Sequence, residues 1–242
     1  MLLDPNWLKP DWPEVTAFMT TRGVNLGRKA GDPEEVKANR ARLAELLGAR
    51  PIFLDQVHGA DVVRLQRDWH DDNAPKADAA VSTDPELAVA IVVADCLPVL
   101  FTAPGGVAGA HAGWRGLAAG VLENTVAELC KAARCEPQQV KAWLGACIGP
   151  EAFEVGPEVV RAFGREPIES DQPGFLYRPN PEPRWRADLP LLARERLTSV
   201  NVTQISGGSW CTLTDDSLFF SFRGEALGRP RGRMAACISL GR

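Results

Sequence analysis

Leu87-Ala88-Val89-Ala90-Ile91-Val92-Val93-Ala94-Asp95-Cys96-Leu97-Pro98-Val99-Leu100-Phe101 is the segment from which the architecture of this chain can be worked out. Leu87 to Val93 is continuously aliphatic and half β-branched, too short for a typical helix and apolar on both sides, which predicts a central strand ending at Asp95-Cys96. Past Leu97-Pro98, Val99 to Phe101 predicts a second strand. Pro104-Gly105-Gly106 turns the chain, and Val107 to Ala110 predicts a third strand ending at His111. Gly113-Trp114-Arg115-Gly116 then opens a helix predicted from about Arg115 to Ala133, with Leu117, Val121, Leu122, Val126 and Leu129 facing inward. Cys96 and His111 are thereby placed at strand ends.

Outward from this centre, Asp32-Pro33-Glu34-Glu35 carries the marks of a helix start, with Asp32 as N-cap, Pro33 in the first turn and Glu35 closing a capping box. The helix runs to about Gly48, with Val36, Leu43, Leu46 and Leu47 on the buried face and Arg40, Arg42 and Glu45 toward water. Ala142 to Leu144 is strand-like, and Pro157-Glu158 starts a short helix through Phe163. From Arg165 to Arg186 five prolines interrupt ladder and helix hydrogen bonds, which predicts an irregular surface loop with a possible use as a lid or an interface arm. Asp188 caps a helix through about Ser199, and strands are predicted at Val202 to Ile205, Leu218 to Phe222 and Met234 to Leu240. No repeat or linker divides the chain. The expectation is a single α+β domain over residues 1–242, with layered mixed β-sheets flanked by helices.

Composition narrows the function. With 242 residues, 45% hydrophobic and 24% charged, the chain can bury a core without disulfides and has no disordered or fibrous signature. The net charge of −4 offers no basic field for nucleic acid. The start, Met1-Leu2-Leu3-Asp4-Pro5, lacks a basic segment followed by an apolar one, so no signal peptide is expected. The longest apolar run, Leu87 to Ala94, is far shorter than the roughly 20 residues of a membrane span. Cys96, Cys130, Cys135, Cys147, Cys211 and Cys237 are then expected as free thiols in a reducing cytoplasm, and no Cys-x-x-Cys pair occurs. A multicopper oxidase would need about ten imidazoles, and the chain has 3 His.

Two of those histidines sit beside glycines, in Gln56-Val57-His58-Gly59 and Gly109-Ala110-His111-Ala112-Gly113, while His70 lies in the charged stretch Asp68-Trp69-His70-Asp71-Asp72. His58, Cys96 and His111 are far apart in sequence, so only the fold could bring them together. Two imidazoles and a thiolate suit zinc with a fourth position left open, as in catalytic sites. Against that, a buried Cys is usually a small hydrophobe and a His next to Gly is often a turn residue. A Cys96–His111 nucleophile pair has the same standing. The Gly113–Gly116 turn is either an anion cradle, with Arg115 beside exposed N–H groups, or a plain strand-to-helix turn. Ser206-Gly207-Gly208-Ser209 fits an ordinary loop, and Arg223 and Arg233 fit surface charges.

The motifs in combination are more specific. Gln56-Val57-His58-Gly59, Ala94-Asp95-Cys96-Leu97-Pro98-Val99, His111-Ala112-Gly113-Trp114-Arg115-Gly116, Ile148-Gly149-Pro150 with Phe153-Glu154-Val155-Gly156, and Phe219-Phe220-Ser221-Phe222-Arg223 with Gly232-Arg233-Met234-Ala235 occur in the order of the YfiH family, from Thr20-Thr21-Arg22 to Leu240. This laccase-domain, or polyphenol-oxidase-like, family is also described as purine nucleoside phosphorylases. The resemblance implies layered α and β structure and a zinc held by His58, Cys96 and His111. It implies phosphorolysis of adenosine, inosine, guanosine or methylthioadenosine to base and sugar 1-phosphate, with deamination of adenosine in some members. Other members resemble cytoplasmic editors of peptidoglycan precursors, for which Cys96 would be the nucleophile and His111 the base acting on an amide. Asp95 would orient a ligand or move a proton. Gly113, Trp114 and Arg115 would bind phosphate or substrate, with Arg22 a lesser candidate. The expected partners are therefore a purine nucleoside and phosphate, with no nucleic acid and no membrane; no sequence signal fixes the oligomeric state. After Thr20-Thr21-Arg22-Gly23 the family usually has a further Gly and a loop with Ser and Tyr before Asn-Leu-Gly, whereas here Val24-Asn25-Leu26-Gly27 follows at once.

Overall fold

A computed structural model describes residues 4–70, 73–179 and 181–241. In chain order its elements are β1 (Val15–Met19), α1 (Pro33–Leu47), β2 (Arg50–Phe53), β3 (Val62–Arg64), β4 (Ala79–Ser82), β5 (Leu87–Val93), β6 (Leu97–Ala103) and β7 (Gly106–Ala112). There follow α2 (Trp114–Ala118), α3 (Val121–Ala133), β8 (Lys141–Leu144), β9 (Glu154–Val155), α4 (Pro157–Ala162), β10 (Phe175–Arg178) and β11 (Arg184–Ala187). The chain ends with α5 (Leu189–Ser199), β12 (Gln204–Gly207), α6 (Phe222–Glu225) and β13 (Met234–Leu240). The opening Met1–Leu3 and Asp71-Asp72 beside His70 lie outside the described residues.

Two sheets stack face to face. One has the order β1-β13-β5-β2 and the other β12-β8-β6-β7-β4-β3. Because side chains alternate along a strand, Val89, Ile91 and Val93 of β5 point between the sheets and meet Leu100, Val107 and Trp143 of the other sheet. Ala88 and Ala90 point the other way, onto Leu43 and Leu47 of α1. On the six-stranded sheet, Val99, Phe101, Ala108 and Ala110 turn outward and are covered by Leu117, Leu122, Val126 and Leu129, with Leu192 and Leu197 of α5. The result is helix, sheet, sheet, helix, the layered α+β architecture expected. Strands covered on both faces need apolar residues at every position, which is why β5, β6 and β7 lack polar alternation.

Several elements depart from expectation. Arg40 is buried, not solvent-facing: its guanidinium lies 3.7 Å from the Phe53 ring centroid and donates to the Leu26 carbonyl. The single helix expected over 115–133 is two, broken at Gly120, whose φ of +93° no continuing helix can hold. The predicted loop 165–186 contains the hairpin β10–β11, which pairs with β9; its prolines fall before β10 and in the connection, where no ladder bond is lost. The strand placed at Val202 to Ile205 lies two residues later. Leu218 to Phe222 is no strand but a turn leading into α6, with Ser221 as its N-cap. The strand placed at Val99 to Phe101 begins at Leu97, with Pro98 inside it opposite His111.

Candidate metal centre

The site begins with one buried carboxylate. Asp78 has a fully buried side chain, and it accepts the backbone N–H groups of Val57, His58 and Gly59 at 3.1, 2.9 and 2.7 Å. These bonds hold His58 in the left-handed region, at φ 62. The same carboxylate lies 2.8 Å from His111 Nδ1, and since a carboxylate only accepts, Nδ1 carries the proton and Nε2 is left to face Cys96 or a metal ion. Gln56 completes the scaffold. Its side-chain amide donates to the Val92 carbonyl and accepts the Val92 N–H, both at 2.8 Å, so the His58 segment hangs on β5 by a side chain acting as a strand partner.

Cys96 enters from the turn between β5 and β6, just after Asp95, whose φ of +82° tightens that turn. Both Asp95 carboxylate oxygens are engaged, by the Thr212 hydroxyl at 2.6 Å and the Arg223 N–H at 2.7 Å. The donor atoms of His58, Cys96 and His111 all lie within 4.8 Å of one another. His58 is exposed, Cys96 half-buried and His111 buried, so the group faces solvent on one side. Burial opposes ionisation of Cys96, but hydrogen bonds from His111 and His58, with their charges, bring the thiol down to about 6. Burial would likewise lower His111, yet Asp78 and the Cys96 sulfur push it up to about 9. Asp78 is buried too, but its bonds to His111 and to the Gly59 and Val57 N–H groups keep it below the ordinary carboxylate range. Two imidazoles and a thiol in ligating reach, with one imidazole oriented by a carboxylate, could hold a metal ion.

The first turn of α2 presses on this group. A Cβ at Gly113 would stand 2.9 Å from Cys96 Sγ, and one at Gly116 would stand 2.5 Å from the Gly59 carbonyl oxygen, so both positions need glycine for close approach. Trp114 is half-buried, and the exposed Arg115 stacks on it with its guanidinium carbon 4.3 Å from the ring centroid. Of the residues singled out by sequence, His58, Cys96, His111 and Gly113 come together, with Asp95, Trp114 and Arg115 next to them in the chain. Arg22 is engaged elsewhere, donating to the Asp216 carbonyl. His70 is exposed and contacts Arg50. Arg223 is more than a surface charge: besides its N–H on Asp95, its guanidinium donates to the carbonyls of Ala152 and Glu154. Arg233 is half-buried and paired with Glu225.

Asp78 escaped the sequence reading. Its signal was an acid inside the apolar run Ala77-Asp78-Ala79-Ala80-Val81, where a charge can be buried only with partners.

Comparison with known proteins identifies the family of the chain. Residues 17–241 match the family model described as multi-copper polyphenol oxidoreductase laccase. The chain is 43% identical over 249 residues to the protein named purine nucleoside phosphorylase YfiH of Escherichia coli, covering 96% of this chain and 97% of that one. It is 38% identical over 253 residues to a purine nucleoside phosphorylase of Haemophilus influenzae, covering 98% of each. Among solved structures, the Neisseria meningitidis protein NMB0706 superposes with a TM-score of 0.83 at 36% identity, covering 98% of this chain and 100% of that one. Bacillus licheniformis YfiH gives 0.87 at 28%, covering 98% and 97%. Matched along nearly its whole length in sequence and in architecture, the chain belongs to the YfiH, or laccase-domain, family.

Proposed function

We propose that this protein is a zinc-dependent purine nucleoside phosphorylase, acting on adenosine, inosine, guanosine or methylthioadenosine, with deamination of adenosine as a second activity. The observation that carries the reading is the convergence of His58, Cys96 and His111 beside the Gly113–Gly116 turn, in a chain whose relatives bear the phosphorylase name. Zinc on those three donors would supply Lewis acidity toward an oxygen of phosphate or water. The donor set favours zinc over copper, because only His58 and His111 supply imidazole to it.

The remaining roles belong to the chain itself. In phosphorolysis a phosphate oxygen bonds to the anomeric carbon while the bond to the purine nitrogen breaks, its electron pair leaving with the base. Arg115 and the turn N–H groups meet the phosphate charge, and Gly113 lets the turn lie against Cys96 and His58. Trp114 offers an aromatic surface to the substrate. Asp78 orients His111, and Asp95, with both oxygens occupied, positions the Cys96 turn. Arg22, the lesser phosphate candidate, would first have to leave the Asp216 carbonyl. A cytoplasmic setting fits six free thiols.

A second reading has its own support. The neighbouring histidines stabilise Cys96 as a thiolate, the state a nucleophile needs, and His111 would serve as its acid and base in cleaving an amide of a cytoplasmic peptidoglycan precursor.

The deciding experiment incubates metal-quantified protein with adenosine, with and without phosphate, and resolves adenine from inosine. Phosphorolysis gives adenine and ribose 1-phosphate only when phosphate is present; deamination gives inosine in either case. Cys96→Ala is expected to lose both metal and turnover. Absence of product from every purine nucleoside, together with covalent capture of Cys96 by an electrophilic amide analogue, would replace the phosphorylase with the amidase.

A further inference from the structure

Helix α3 ends in an arrangement that the site chemistry does not use. Arg134 is left-handed at φ 56, and the Cys135 N–H then returns to the Cys130 carbonyl at 3.1 Å. In this kind of helix end, the residue after the left-handed one folds back over the last turn and usually makes an apolar contact there. Here both positions are cysteine, and both side chains pack against the same core cluster. Both are partly exposed, whereas Cys147 and Cys237 are sealed in the core. The 3.1 Å bond closes the backbone between the two residues and holds Cys135 over the turn that carries Cys130.

We propose that Cys130 and Cys135 are a modification site, a thiol pair that closes to a disulfide by exchange with a small-molecule disulfide such as oxidised glutathione. Cys135, beyond the end of the helix, attacks first: its thiolate bonds to one glutathione sulfur, and the other glutathione leaves as a thiolate. Cys130 then loses its proton to solvent and attacks the Cys135 sulfur, expelling the second glutathione. Two protein thiols are oxidised and one glutathione disulfide is reduced to two thiols. The order of attack has support in the pair itself. Burial and the neighbouring Cys135 sulfur push the Cys130 thiol up to about 12, which makes Cys130 the slower of the two to attack. The closed bridge would staple the last turn of α3, whose Leu129 packs beneath β6 and β7.

The test treats the full-length, zinc-loaded protein with oxidised glutathione, quenches with acid, alkylates the remaining thiols and maps each cysteine by mass spectrometry. The expected product is a Cys130–Cys135 bridge. Cys130→Ser should stop at glutathione on Cys135, and Cys135→Ser should take up glutathione on Cys130 roughly tenfold more slowly. The proposal is overturned if the native protein retains glutathione on Cys135 without closing, or if the first bridge formed joins any other two cysteines.

Discussion

Asp78 shows how much a single residue can organise. Four donors converge on its two oxygens, three of them fixing the backbone of the His58 segment and one fixing the His111 ring. Asn at this position keeps the shape but loses the charge and turns one acceptor into a donor. Asp78→Asn should therefore weaken metal binding on the order of 10–100-fold, as loss of an outer-shell carboxylate does, measured by competition with a chromophoric chelator. An affinity within twofold of the native protein would show that His58 and His111 hold their places unaided. The same residues set a pH dependence. In metal-stripped protein Cys96 has a thiol lowered to about 6, so its thiolate is present above that pH and is lost as the pH falls through it. The rate of Cys96 alkylation should thus rise with a midpoint near 6, well below the ordinary 9.0, and Asp78→Asn should move it upward by weakening the imidazolium beside it. A midpoint near 9 in the native protein would mean that the histidines do not stabilise the thiolate. The histidines and the cysteine stood out in the sequence as candidates beside glycine or at strand ends, but it was the family resemblance that joined them into one metal site. Asp78 was not, because a lone acid between alanines resembles a turn residue until its four donors are in place.

At the scale of elements, legibility followed the number of faces a segment buries. β5 and β13 match their predicted limits, since a strand covered on both sides is apolar at almost every position; Ser239 of β13 is buried only with its hydroxyl bonded to the Leu47 carbonyl. The capped helices α1 and α5 also start where predicted, because Asp32 and Asp188 accept the first free N–H groups. Segments whose state depends on a distant partner were misjudged. The prolines of 165–186 suggested irregular chain, yet β10 fits between Pro173 and Pro179, β11 starts just after Pro183, and the hairpin finds its partner in β9 through β11. The apolar periodicity of 115–133 continued through Gly120, but the tertiary structure needs a separate α2, short enough to press on the His58 segment. That contact gives a prediction: Gly116→Ala puts a methyl 2.5 Å from the Gly59 carbonyl oxygen, so α2 must move off the site. The expected cost is about 1–3 kcal/mol by chemical denaturation, accompanied by weaker metal binding. Gly120→Ala is the control at the same break. It forces a left-handed backbone on alanine at about 1 kcal/mol but touches no site residue, so metal affinity should stay native. Equal metal loss in both variants would mean that the helix pair, and not the Gly116–Gly59 contact, supports the centre.

Across the whole molecule, the centre occupies the seam between the two stacked sheets. The chain crosses from the four-stranded to the six-stranded sheet between β2 and β3, where it carries His58, and again between β5 and β6, where it carries Cys96. His111 stands at the end of β7, within the six-stranded sheet. An ion held by all three would therefore tie both crossings to the second sheet, and it could do so only in the folded chain, because the three donors are far apart in sequence. A ligand bound only by the native state stabilises it by mass action, about 2.7 kcal/mol when present at 100 times its Kd. For a chain of this size that corresponds to a rise in Tm of roughly 5–10 °C on adding zinc to the metal-free protein, observable by calorimetry. Cys96→Ala removes one of the two crossings from the tie and should abolish most of the rise, while Leu100→Ala, between the sheets and away from the donors, should lower Tm in both forms through a loss of about 2–5 kcal/mol but leave the zinc-induced difference intact. A rise of the same size in Cys96→Ala would place the ion elsewhere and disconnect the seam from metal binding.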